Sequence, residues 1–489
     1  MKEKTISYTL SIMKLFLFQW PIVNDAYIDA LGDIETSGHE LLYFVYSGDS
    51  SKVRKRLPRA IFHEHEYALD GEPADGKSEF LTPPSASLIH DMAGVELTVL
   101  SMMNKHLDHM TIDERKQVYY QMLGYWDRIL EQYRPDALVF SAVPHSVYDY
   151  LTYELARRRG MRTIMFDNTV IGDRYLYLTD FRRGSETVLT SFAKLKHERI
   201  TLDDISPDLR EYYQHSLDEN APRVPFYVLK DKKKYSGVNL MKSRARLVLR
   251  SIRDGSLLRK VALFLPKYFN ENVRKEYRSV TKIPDLTMPF VYVPLNYQPE
   301  CTTSPQGDIF VVQTLMLEML SSALPAGWRI YVKEHPSQWG PRGFNFSSSR
   351  YKGYYKRIAR IPNVTMVSLT VQSSDLIKYS KAVATVSGTA GWEALLRQKP
   401  VIIFGHPWYQ NAPSLLRVDS VESCREGLES VSRGHKVHEE ENLRFLKALE
   451  EGTVHRHFQE GVNKQSSLTL EESAAAVTKV VLQMLATTI

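Results

Sequence analysis

Tyr331-Val-Lys-Glu-His-Pro336 and, about fifty residues later, Val386-Ser-Gly-Thr-Ala-Gly-Trp-Glu-Ala-Leu395 decide how this chain is read. The first is a β-branched and aromatic run that ends in a charged His-Pro. Proline has no N–H to give a ladder, so the strand stops there and the chain can turn. The second is an apolar run, Val383 to Val386, that stops at Ser387-Gly388-Thr389 and restarts with helical spacing. A strand that breaks at small hydroxyl residues and opens a helix leaves N–H groups and the positive end of a helix dipole for an anion. An imidazole delivered by a second parallel strand to the same sheet edge adds a donor for phosphate.

Outward from these motifs, apolar runs alternate with longer helical patterns, which predicts an α/β layered fold. The C-terminal half offers strands at Phe290–Leu295, Arg329–Lys333, Val364–Val367, Ala382–Val386 and Val401–Phe404. Helices are expected at Phe310–Leu320, near Leu376–Tyr379 and at Ala390–Arg397, and the tail Glu439–Ile489 reads as helical. In the N-terminal half, strands are expected at Lys14–Phe18, Leu41–Tyr46, Ala137–Phe140 and Thr163–Phe166. Val147–Arg158 and Thr111–Tyr133 have helical periodicity, the latter opened by a Thr111/Glu114 capping box. Glu64–Ser87, rich in Gly, Pro and Asp, reads as a loop.

At 489 residues the chain exceeds one ordinary core. Hydrophobic residues at 43% and charged residues at 25% are those of a globular protein. Two cysteines, Cys301 and Cys424, exclude a disulfide framework, and neither has a partner at metal-ligand spacing. The apolar run Leu15–Phe18 is too short for a signal segment or a span, and a cytoplasmic location is expected, with peripheral contact at the inner face of the membrane as the variant. Net charge is +6, yet Lys230–Arg278 alone carries 15 Lys and Arg against 4 Asp and Glu, leaving about −5 for the rest. This basic, apolar-interleaved stretch reads either as a linker helix packed on a neighbour or as a contact for anionic lipid or glycan. No nucleic-acid module accompanies it.

His335-Pro336 and Ser387-Gly388-Thr389, with Gln298-Pro-Glu300 after the strand at Phe290, resemble the capsular polysaccharide biosynthesis family of bacterial glycosyltransferases. That family is similar to the enzymes that transfer Kdo (3-deoxy-manno-octulosonate) from its CMP-activated form. The resemblance runs from Val291 to Tyr409 and is loose elsewhere. It implies, as the alternation also suggests, a GT-B-like fold: two Rossmann-like domains facing a cleft, a basic helical inter-domain segment and a helical C-terminal tail. The expected division is an acceptor-side domain at 1–222, the basic segment at 223–288 and a nucleotide-sugar domain at 289–489. The resemblance further implies a CMP-sugar donor, a glycan or glycolipid acceptor, capsule-assembly partners, and no cofactor or metal.

For donor phosphate and nucleotide, the candidates are His335, Pro336, Ser387, Gly388, Thr389, Lys333 and Glu393. Lys333 shares the direction of His335 by strand alternation, either as a second cation or as half of a structural ion pair, and Glu334 points away. Glu393, one turn past Thr389, is either a ribose or base ligand or a plain capping carboxylate. Gly388 and Gly391 would allow close backbone approach. Gln298 and Glu300, with His145 across the cleft, are candidate substrate contacts; the alternative for the first two is a polar helix-capping loop. Phe404-Gly-His-Pro-Trp-Tyr409 offers aromatics either for stacking on a base or sugar or for packing between domains. Transfer to a hydroxyl needs a base or nucleophile. Candidates are Asp25, Asp33 and Glu35, with Gly32–Glu35 read as a cleft turn, and then Asp91, His145 and Asp173. No Asp/Glu-Asp-Gly sequence of the sialyltransferase kind is present. A CDP-polyol phosphotransferase, a UDP-sugar transferase or epimerase, and a non-catalytic assembly scaffold are the other readings.

Overall fold

The computed structural model describes residues 12–22, 24–108, 110–218, 273–338, 349–457 and 468–487, with single residues between 241 and 252. The strands are β1 (Lys14–Phe18), β2 (Glu40–Tyr46), β3 (Ile61–Glu64), β4 (Ala137–Phe140), β5 (Arg162–Asn168) and β6 (Arg174–Leu178). They continue with β7 (Phe290–Pro294), β8 (Arg329–Lys333), β9 (Val364–Val367), β10 (Ala382–Thr385), β11 (Val401–Ile403), β12 (Leu415–Arg417) and β13 (Thr453–His455).

Two sheets result, and their orders explain where ligands can go. The first runs β3-β2-β1-β4-β5-β6-β13, parallel except for β6. The second runs β12-β11-β10-β7-β8-β9 and is parallel throughout. Continuously apolar runs such as Leu-Phe-Leu-Phe in β1 and Val-Tyr-Val in β7 suit strands covered on both faces, and each is buried. Chain order reverses between β1 and β4 in the first sheet and between β7 and β10 in the second. Crossovers depart to opposite sides there, so a crevice opens beyond the strand ends. The fold is α/β and GT-B-like, with two Rossmann-like sheets as expected.

The chain crosses back at its end. Helix Leu470–Ala486 packs on helix Asp25–Thr36, where the Tyr27 hydroxyl lies 2.8 Å from Ser473 Oγ, and the Arg162 guanidinium donates to the Leu485 carbonyl. The tail expected to be helical throughout carries strand β13, which pairs with β6. Glu64–Ser87, expected as loop, holds helix His65–Leu69 and a short turn of helix at Ser78–Phe80. Most of the basic segment expected at 223–288 lies outside the described residues. Its end, Val273–Val280, is a helix whose Tyr277 is buried against Tyr355 at 5.0 Å. Among the described residues, no helix is long and apolar enough to cross a membrane.

The loop after β7 joins the two sheets. Gln306 Nε2 donates to Asp167 Oδ2 at 2.7 Å, and Cys301 Sγ lies 4.0 Å from the Val143 carbonyl. Farther along, Gln410 Nε2 donates to the Phe181 carbonyl at 2.6 Å and Ser185 N–H to Asn411 Oδ1 at 3.0 Å. One apolar cluster runs from Phe16 and Trp126 to Trp392 and Tyr409. If the tail helix is part of the first core, Leu485→Ala, at a position 1% exposed, lowers stability by about 2–5 kcal/mol in chemical denaturation. A loss below about 0.5 kcal/mol, the size of a surface change, contradicts the docking.

Candidate active site at two strand-order reversals

At the second reversal, Asn296 lies just beyond the end of β7, flanked by His335 beyond β8 and by Ser387 beyond β10. Asn296 Nδ2 donates to Ser387 Oγ at 3.4 Å, and its backbone N–H donates to Gln313 Oε1 at 2.7 Å. The His-Pro and Ser-Gly-Thr motifs therefore share one sheet edge. His335 is half-buried and its ring lies 5.6 Å from that of Tyr297. The Ser337 N–H donates to His335 Nδ1 at 3.2 Å. Nδ1 is thereby an acceptor, and a neutral ring carries its proton on Nε2 as a donor.

Gly388 caps helix Thr389–Leu396 in an extended conformation, and Thr385 Oγ1 accepts its N–H at 3.0 Å. Thr389 and Ala390 follow as half-buried first-turn residues whose N–H groups have no carbonyl inside the helix. Ser387 is 3% exposed and gives its hydroxyl to the Thr302 carbonyl. It ties the loop to the strand end, and Thr389 offers the more open hydroxyl. Pro336 is exposed beside His335.

The floor beneath His335 is a buried ion pair. Arg350 Nε lies 2.7 Å from Glu334 Oε2, with the two side chains 2% and 0% exposed. Tyr355 donates to the same carboxylate at 2.6 Å, and the other oxygen accepts the His335 N–H at 2.7 Å. Arg350 also donates to Gln298 Oε1 and to the Asn296 carbonyl. Gln298, expected to hold a substrate hydroxyl, is built into this floor: Gln313 Nε2 donates to its Oε1 at 2.8 Å, and its own amide donates to the Val311 carbonyl at 2.8 Å. The Glu300 carbonyl closes a turn by accepting from Thr303 and Ser304 N–H, each at 3.0 Å.

Lys333 leaves the donor side. Its ammonium donates to the Val371 carbonyl at 2.6 Å and to Ser373 Oγ at 3.0 Å, and burial pushes its pKa down to about 8. Strand alternation gave its side but not its reach toward β9. Glu393 is half-buried one turn along its helix, beside Tyr409 and Tyr212. The close approach that Gly391 permits is to the Tyr409 hydroxyl, 2.2 Å from where a Cβ would sit. Trp408 and Tyr409 are buried, with Trp392 4.9 Å from Trp408, so these aromatics pack between elements.

At the first reversal, the ends of β1 and β4 border a cavity of about 380 Å³. Gln19, His65, Lys105, His106, Ser141, His145, Ser146 and Asp149 supply its polar lining. Gln19 has φ of 57°, a left-handed conformation uncommon for a residue with a Cβ. Burial lowers the pKa of His65 and His106 to about 4 and also lowers that of His145, so the imidazoles are neutral near pH 7. Asp149 is pushed up to about 8 by burial, against the opposing pull of the Ser146, Tyr150 and His145 N–H groups. Asp167, at the end of β5, is raised to about 7, again by burial, with Gln306 opposing.

Asp25, Asp33 and Glu35 do not join either group. Gly32–Glu35 is helix rather than turn, because Asp25–Thr36 forms one amphipathic helix capped by Asn24. Asp33 and Glu35 are exposed in its last turns, at the end remote from the strand ends, and Asp25 is exposed in an ion pair with Lys52 at 2.6 Å. Asn296, Arg350, His65, Lys105, Asp149 and Asp167 were missed. Asn296 had a weak signal as the first polar residue after the run Phe290–Leu295, and His65 had none.

Residues 290–413 match the family described as capsule polysaccharide biosynthesis protein. That span holds both motifs and bears out the resemblance read from them. No curated protein matches the chain. Among solved structures, a Thermosulfurimonas dismutans KpsC, a beta Kdo 2,7 transferase, is similar at 14% identity over 73% of this chain and 89% of that one, with a TM-score of 0.30. UDP-GlcNAc 2-epimerase from Methanocaldococcus jannaschii is similar at 12% identity over 96% of this chain and 100% of its own, with a TM-score of 0.24. The spinosyn rhamnosyltransferase SpnG follows at 10% identity over 90% and 95%, with a TM-score of 0.25.

Two outcomes follow from these side chains. Arg350→Met strands the Glu334 carboxylate and costs about 3–5 kcal/mol in denaturant unfolding; a cost below 1 kcal/mol contradicts the buried pair. Asp149 keeps a proton in the folded state that the unfolded chain releases above about pH 4. Its contribution to stability therefore falls as pH rises, and in the pH 6.5–8 window most of that slope disappears in Asp149→Asn. An unchanged slope across that window in the variant refutes the assignment.

Proposed function

We propose that this chain is a glycosyltransferase of bacterial capsule or surface-polysaccharide synthesis. It transfers an acidic sugar, Kdo in this reading, from a CMP-activated donor to a glycan or glycolipid acceptor. One observation carries the proposal: a donor imidazole at His335 and the open helix start at Gly388-Thr389 flank the same reversal of strand order, inside the segment that matches the capsule family.

The chemistry follows from charge. As the bond from the anomeric carbon to the phosphate breaks, negative charge grows on the phosphate oxygens. Donors fixed beforehand stabilise that charge without reorganising during the reaction. His335 Nε2–H, the Thr389 hydroxyl and the N–H groups of Thr389 and Ala390 are such donors, and they need no metal ion to act. The Glu334–Arg350 pair keeps the backbone of His335 in register, and Ser387 holds the 301–306 loop against the strand end. The acceptor enters from the first sheet, where the cavity between β1 and β4 has polar walls. The protein works in the cytoplasm, with the basic segment near Lys230–Arg278 available for an anionic membrane surface.

Calorimetric titration with CMP, CDP and UDP in EDTA tests this reading. CMP is expected to bind selectively, and His335→Ala to weaken it at least tenfold with an unchanged melting temperature. Preference for CDP points instead to a polyol phosphotransferase, and preference for UDP to a UDP-sugar enzyme. Binding of CMP that is unaltered in His335→Ala contradicts the role given to the imidazole.

A further inference from the structure

We propose that His145 is the general base of this enzyme and takes the proton of the attacking hydroxyl on Nε2. The assignment rests on the glycosyl-transfer reading and adds to it the group that the donor site lacks.

A carbonyl oxygen can only accept a hydrogen bond. His145 Nδ1 lies 2.7 Å from the Val143 carbonyl, so Nδ1 carries the proton. A neutral ring then has its lone pair on Nε2, the state a base requires. Burial keeps the ring neutral near pH 7. The side chain lines the cavity at the reversal between β1 and β4.

The same cavity contains two rivals whose contacts assign them elsewhere, His65 and Asp149. Gln19 Nε2 approaches His65 Nδ1, and the Tyr148 hydroxyl lies 2.7 Å from that nitrogen, so the His65 proton sits on Nε2. That ring presents a donor. Asp149 accepts the Ser146 N–H at 2.7 Å, closing the capping box of helix Val147–Arg158, whose cap is Ser146. Among the described residues, no hydrogen bond fixes the tautomer of His106. His145 is also tied to the donor side: Cys301 touches the Val143 carbonyl, and the next residue, Thr302, holds Ser387.

In the step itself, the O–H bond of the acceptor breaks and its proton goes to His145 Nε2. The oxygen pair forms the new bond to the anomeric carbon. The bond from that carbon to the phosphate oxygen breaks, and its electrons leave with CMP. The imidazolium then loses its proton to water.

Two measurements on the full chain test the assignment. Long-range 15N NMR of the histidine rings should show His145 protonated on Nδ1 and bare on Nε2; an Nε2–H tautomer overturns it. CMP release from CMP-Kdo, with water as acceptor, should fall about 10²–10⁴-fold in His145→Asn, whose amide can still donate to the Val143 carbonyl. CMP affinity should stay within twofold, and added imidazole should restore part of the rate in His145→Gly. Release at the wild-type rate in His145→Asn overturns the base while leaving the donor site standing. A wild-type chain that binds CMP but releases none from CMP-Kdo overturns the donor reading, and the base with it.

Discussion

A parallel sheet whose chain order reverses cannot cover the ends of the two strands at the reversal. Their crossovers leave to opposite faces, and the gap between them is the one place where backbone and side chains point outward together. This chain has the reversal twice, at β1/β4 and at β7/β10. Every polar group given a chemical role above lies beyond the end of a strand at or beside one of these gaps. The loop after β7 joins the two, since its Gln306 reaches Asp167 while its Thr302 holds Ser387.

The two histidines differ through the backbone group that each Nδ1 meets. At His335 that group is an N–H, which leaves Nε2 as a donor; at His145 it is a carbonyl, which leaves Nε2 as an acceptor. Neither choice needs a charged neighbour. A donor suits the phosphate that gathers charge, and an acceptor suits the hydroxyl that loses a proton. The buried Glu334–Arg350 pair is costly to desolvate, and its use is positional. It joins Gln298, Asn296 and the His335 backbone in one network, so the ends of β7 and β8 move as a unit.

Much of the fold was legible because continuous apolar runs such as Lys14–Phe18 and Phe290–Pro294 have few alternatives to buried parallel strands. Of the strands missed, β3, β12 and β13 are short and lie at sheet edges, where periodicity has too few residues to register, while β6 is an interior strand that runs antiparallel to its neighbours. The motifs of the donor side were legible because strand, break and helix follow one another in sequence. Contacts between distant segments were not. Nothing local distinguishes Arg350 as the partner of Glu334, or turns Lys333 toward Val371 and away from the cleft. Gly32–Glu35 is helix rather than turn because a glycine is tolerated where Asn24 caps the helix and the apolar face is well buried.

A crystal structure of the chain with CMP bound would locate the donor phosphate. The phosphate is expected beyond the ends of β8 and β10, within hydrogen-bond distance of His335 Nε2 and of the Thr389 and Ala390 N–H groups. A nucleotide phosphate seated instead in the cavity between β1 and β4, or away from both reversals, would contradict it.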